Sequence, residues 1–205
     1  MQRKMRDLTL DKFSEELFSK NAVPGGGGAT ALVGSLAVSL GAMAANLTVG
    51  KEKYAEYTSR LEEILIRAEE LRLHLLELID EDAKGFGEVS KAYKLKPKDE
   101  EVIEKALVSA ATPPLNMMEA LKEVIELLDE LSDKTSVLVV SDVGVGAKLA
   151  GSALSSAYLN VVVNTKLMKD KNKAESIEKK AESLHSYLGK ADEIYEKILN
   201  RLKVQ

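Results

Sequence analysis

The chain has 205 residues, 45% of them apolar and 30% charged, with a net charge of −4, two histidines and no cysteine. This excludes disulfides, thiolate metal sites and a cysteine nucleophile, and His74 and His185 are too few for a multi-histidine metal centre. The balance fits one soluble globular domain over residues 1–205, and its dispersed lysines and arginines offer nucleic acid no basic patch.

The basic start, MQRKMRDLTLDKF, leads into an amphipathic segment and not into a signal-type apolar run, so a cytoplasmic location is expected. Residues 9–20 place Leu10, Phe13, Leu17 and Phe18 at helical spacing, with Thr9 as N-cap. Pro24 and four glycines, Gly25 to Gly28, then break the pattern. Over 29–47 it resumes with Leu32, Leu36, Leu40, Met43 and Leu47 on one stripe. A long helix is predicted over 52–93, its seam running through Leu61, Leu65, Ala68, Leu75, Ile79, Phe86 and Val89. A helix over 99–111 follows, Thr112-Pro113-Pro114 is expected to end it, and another runs through Leu131. Residues 137–140 read as an extended loop, because a lone strand has nothing to pair with. Ser141 is then the N-cap of a nearly uncharged helix to about Met168, and a single last helix spans 173–202. The expected fold is an all-α, single-domain bundle of long helices around a buried uncharged helix, with a glycine-rich loop at that helix's N-terminus.

The run 29–47 has nearly the length of a membrane span, but only seven of its residues are large and apolar and no aromatic belt flanks it. A central helix surrounded by protein, with Gly34 and Gly41 admitting another backbone, is the better reading, and no membrane partner is expected. Ser35, Ser39 and Asn46 form a polar stripe that either bonds back to its own helix or walls a ligand pocket. Glycine-rich backbone entering a helix presents free N–H groups, yet "PGGGGAT" lacks the lysine and the preceding strand of a phosphate loop.

Asp82 breaks its own pattern. The seam calls for an apolar residue there, and an unpaired buried carboxylate is costly or becomes protonated. Asp80 and Glu81 fall on solvated positions. Gly85, Gly87 and Phe86 beside Asp82 describe an acid, a gap and a ring on one face, which is a pocket, an interhelical hydrogen bond or ion pair to a lysine, or a register shift that leaves Asp82 in solvent. Asp142 reads as a helix-start residue. Asn160 and Asn164, four apart on an uncharged helix, each need a partner. His74 sits at a stripe edge, and His185 is expected in solvent.

Three ordered stretches, "VPGGGGATALVGSLAVSLGAMAANLTVGKEKY", "LIDEDAKGF" and "SDVGVGAKLAGSALSSAYLNVVVN", resemble the formiminotetrahydrofolate cyclodeaminase family, which includes methenyltetrahydrofolate cyclohydrolases. The resemblance covers essentially the whole chain and implies an all-helical homodimer. It also implies a stand-alone cyclodeaminase domain with a folate substrate, possibly polyglutamylated, and no cofactor. Many members carry a serine after the third glycine, where this chain has Gly28 and Ala29. The implied reaction closes 5-formiminotetrahydrofolate to 5,10-methenyltetrahydrofolate with loss of ammonia; hydrolysis of the methenyl compound and a non-catalytic folate- or protein-binding bundle are the alternatives. On this reading Asp82 is the catalytic acid and base, with Asp142 a second candidate. Pro24, Gly25, Gly26, Gly27, Gly28, Ser35, Asn46, Lys51, Phe86, Asn160 and Asn164 are the expected substrate contacts, Lys51 meeting the glutamate tail and Phe86 stacking on a ring.

Overall fold

The computed structural model describes residues 4–203; residues 1–3 of the basic start lie outside the described residues. Seven α-helices are present among them, with no strand: α1 Leu10–Phe18, α2 Gly26–Asn46, α3 Thr58–Lys94, α4 Glu100–Lys134, α5 Val140–Thr165, α6 Lys171–His185 and α7 Leu188–Lys203. Short 3-10 turns at Met5–Asp7 and Glu52–Tyr57 precede α1 and α3. The expected all-α single-domain bundle is what the chain forms.

Helices α2 to α5 make the core, and α6 and α7 lean on α4 and α5. Helix α2 packs against α3, α4 and α5. It is the one described helix long and apolar enough to cross a membrane, but more than half of its most apolar stretch is buried inside the protein. Gly34 and Gly41 face leucine side chains rather than another backbone. A β-carbon on Gly34 would lie 2.9 Å from Leu121 Cδ2, and one on Gly41 would lie 2.8 Å from Leu128 Cδ2. The close backbone approach is made instead by Gly146 of α5, where a β-carbon would meet the Ala37 carbonyl of α2 at 2.9 Å. On the surface, the arginine forks of Arg60 and Arg67 clasp Glu130 and Glu123 and pin α3 antiparallel to α4.

Four expectations need correction. Gly26, Gly27 and Gly28 are the first turn of α2, not a loop before it. Pro113 and Pro114 lie buried inside a continuous α4. Pro114 has no N–H for the Ala110 carbonyl, and Asn164 Nδ2 of α5 donates to that oxygen at 3.4 Å instead. Ser141 lies within the first turn of α5, whose N-cap is Val139. The last segment is two helices, because the chain tightens at Ser186–Tyr187, where the Tyr187 N–H reaches back only to Leu184 O.

Candidate active site

Helix directions decide which polar residues meet. Gly27 lies against Asp82 and Gly26 against Asn160, so one end of the bundle gathers the start of α2, the last third of α3 and the end of α5. Gly85 of α3 meets the Ala110 backbone of α4, a β-carbon there falling 3.1 Å from Ala110 Cα, and this brings α4 to the same end. A cleft of about 370 Å³ opens between them.

Its walls draw polar groups from all three motifs. Gly25, Gly26, Gly27, Asp82, Phe86, Asn160 and Asn164 line it, together with Ala22, Val23, Val89, Ala110, Val163 and Leu167. Asp82 is the only titratable residue in this lining. Its carboxylate lies directly on the glycine turn: a β-carbon on Gly27 would fall 2.0 Å from Oδ1 and 2.3 Å from Cγ. Gly25, the N-cap of α2, supplies no side-chain acceptor. An acid from α3 therefore faces the open N–H groups and the positive end of the α2 dipole. Burial pushes the Asp82 carboxyl up to about 6 from 3.8, and the hydrogen bond from the Gly28 N–H opposes that rise.

The two asparagines are oriented by the helices around them. Asn160 Nδ2 donates to Ser156 O at 2.9 Å, and Asn164 Nδ2 donates to Asn160 O at 2.8 Å as well as to the carbonyl freed by Pro114. Each side chain also offers a carbonyl oxygen as an acceptor. Phe86 is 48% exposed and stands as a free ring face at the mouth.

The remaining candidates lie elsewhere. Pro24 follows a cis peptide bond and is buried under Gly28, whose β-carbon position is 3.2 Å from Pro24 Cβ. Gly28 is also buried and takes part through its N–H. Ser35 is buried with its hydroxyl donating to Leu32 O at 2.7 Å, so the back-bonded reading of the stripe holds. Asn46 and Lys51 are exposed at the opposite end of α2, about 30 Å from the cleft by helix rise. Asp142 sits in the first turn of α5, about 27 Å from Asn160. Within one protomer, Asp142, Asn46 and Lys51 cannot share a small ligand with Asp82. Two smaller expectations also change. His185 is half-buried and stacks on Tyr158 at 4.8 Å, and Asp80 accepts from the Met5 N–H and pairs with Arg6.

Val89 belongs to the predicted seam of the long helix, while Val163 and Leu167, which sequence reasoning did not single out, follow Asn160 by three and seven. Helical spacing could have found them. Ala110 had no such signal. No cluster of three or more His, Cys, Asp or Glu side chains that could hold a metal is assembled among the described residues.

The family model described as formiminotransferase-cyclodeaminase matches residues 9–183. The chain belongs to that family. A methenyltetrahydrofolate cyclohydrolase of Methylorubrum extorquens is 38% identical to this family member over 202 residues, covering 95% of this chain and 97% of that one. The formimidoyltransferase-cyclodeaminase of Mus musculus is 27% identical over 176 residues, and the match spans only 32% of its length. The crystal structure of formiminotetrahydrofolate cyclodeaminase from Thermotoga maritima has a TM-score of 0.88 and 27% identity over 96% of each chain. The fold is therefore that of a folate one-carbon enzyme family.

Proposed function

We propose that this chain is a methenyltetrahydrofolate cyclohydrolase with Asp82 as its acid and base. The observation that carries the reading is a single carboxyl, pushed up to about 6, alone among titratable groups in an otherwise apolar and amide-lined cleft. Such a group is mostly ionised near neutral pH yet returns a proton readily, which suits one residue acting twice. Asp82 takes a proton from water as its oxygen attacks the cationic carbon between N5 and N10. The N5–C bond then breaks as Asp82 gives that proton to N5, and the hydroxyl proton leaves to solvent as the N10-formyl carbonyl forms. One water is consumed and one proton released. The chemistry moves protons and breaks a C–N bond, and asks for no redox group or metal.

Hydrolysis is preferred over ring closure with loss of ammonia because the 38% identity to a cyclohydrolase runs along nearly the whole of both chains. The second reading is the cyclodeaminase, favoured by the structural match to the Thermotoga enzyme. In that reaction the Asp82 carboxylate takes the N10 proton during attack on the protonated formimino carbon and returns it to the departing amine. Supplying the purified protein with 5,10-methenyltetrahydrofolate and, separately, with 5-formiminotetrahydrofolate separates the two. Enzyme-dependent loss of methenyl absorbance from the first supports hydrolysis, its appearance from the second supports the cyclodeaminase, and no change in either leaves a binding protein.

The proposal includes a homodimer. Leu36 and Met43 of α2, Leu47 at its C-cap and Val145 of α5 are 40–50% exposed, apolar surface that a second copy would cover. Sedimentation at twice the 22.3 kDa chain mass supports this, and a monomer overturns it.

A further inference from the structure

Gly26 and Asn160 belong to two hollows at once. One is the Asp82 cleft. The other is a groove of about 470 Å³ between α2 and α5, walled by Ala29, Thr30, Val33, Ser152, Ser156 and Leu159. No charged residue lines it. Two of its three hydroxyls turn inward: Thr30 Oγ1 donates to Gly26 O and Ser156 Oγ to Ser152 O, both at 2.8 Å. The groove thus presents mainly carbon surface, and from Gly26 to Val33 it follows α2 for about 10 Å.

Resting on the folate reading above, we infer that this groove seats the p-aminobenzoyl ring while the Asp82 cleft holds the pterin. The reacting carbon is bonded to N5 of the pterin and to N10, which carries the aryl ring. The two halves of the substrate leave that carbon in different directions, so a site with its acid at the carbon must open both ways. The two hollows meet one residue from the Asp82 carboxylate, at Gly26, and differ in chemistry as the two halves do. Asn160, Asn164 and Asp82 offer acceptors to a ring edge rich in N–H groups. The aryl ring needs carbon contacts and few polar partners, as the groove provides.

The test measures direct binding of two fragments by ligand-observed NMR titration: p-aminobenzoyl-L-glutamate and 6-methyltetrahydropterin. Ser156→Phe and Ala29→Leu, which fill the groove, are expected to weaken the first fragment ~10-fold, the loss of about one good contact, and to leave the second within about twofold. Phe86→Ala is expected to do the reverse. Circular dichroism confirms folding, and agreement between the two groove variants guards against one of them misfolding. A reversed pattern, equal weakening of both fragments, or no p-aminobenzoylglutamate binding overturns the assignment. These readouts do not depend on turnover: a protein that hydrolyses the methenyl compound but shows the reversed pattern keeps the proposed reaction and loses the groove. One that binds as expected without turnover keeps the groove and loses the reaction.

Discussion

The Asp82 carboxylate stands in the space that a side chain on Gly27 would need, 2.0 Å from the β-carbon position. The glycine is therefore demanded by the acid and not by backbone conformation, since Gly50 is the only positive-φ residue described. Gly27→Ala must turn the carboxylate away from the α2 N-terminus. The expected result is a fall in kcat of about 100-fold, the size associated with misplacing a catalytic group by an ångström. Gly87→Ala is the control: its β-carbon meets nothing within 4 Å, so activity holds and stability rises by about 1 kcal/mol from helix propensity. Steady-state turnover beside thermal unfolding of both variants tests the contrast, and equal loss in the two would remove the steric argument.

The rate should follow the ionisation of Asp82. The attacking step needs the carboxylate, and burial has moved its ionisation up to about 6. The expected kcat/KM rises with pH through about 6 and levels off above it, and on that plateau Asp82→Asn loses ~10²–10⁴-fold. A profile measured from pH 5 to 8 with the wild type checks this; a flat profile, or near-normal activity in Asp82→Asn, removes Asp82 from the chemistry.

The same residue should weaken the fold at alkaline pH. A carboxyl whose folded ionisation lies above its unfolded value favours the protonated folded state. The destabilisation is therefore absent below about 3.8, where both states are protonated, and complete above about 6, where both are ionised. Asp82→Asn is expected to gain on the order of 1–2 kcal/mol at pH 8, allowing for partial exposure, and nothing at the acid end. Urea denaturation of both proteins at pH 8 and pH 3 reads the difference directly. A gain of equal size at both pH values would assign it to packing rather than to charge.

The periodicity of the sequence made most of the helices legible, and Asp82 stood out because an acid interrupted an apolar seam. What could not be read was long-range. The Ala110 carbonyl that Pro114 leaves without its helical donor is met by Asn164, 54 positions further along the chain. Asp142 and Asn160 belong to one motif in the chain, but a straight 26-residue helix sends them to opposite ends of the bundle. Ser35 carries the right chemistry for a ligand wall, but its rotation about α2 turns it into the core. In each case the residue type was informative, while its partner depended on helix packing that local spacing does not encode.

The glycines of the core give a final prediction, because what each would strike differs in how far it can yield. A β-carbon at Gly41 meets Leu128 Cδ2 at 2.8 Å, the end of a side chain that can rotate, whereas one at Gly146 meets the Ala37 carbonyl at 2.9 Å. That carbonyl is held in α2 and cannot retreat without moving the helix. Overpacking costs about 1–3 kcal/mol, offset by about 1 kcal/mol of helix propensity on replacing glycine. Gly41→Ala should therefore lose no more than about 1 kcal/mol and Gly146→Ala about 2 kcal/mol or more. Leu128→Ala alone should lose about 2–5 kcal/mol, and combining it with Gly41→Ala should cost less than the sum because the new methyl enters the vacated space. Chemical denaturation of the four variants completes the cycle. Strict additivity would show that Gly41 and Leu128 do not share that volume, and a larger loss at Gly41 than at Gly146 would contradict the distinction between a yielding side chain and a fixed backbone.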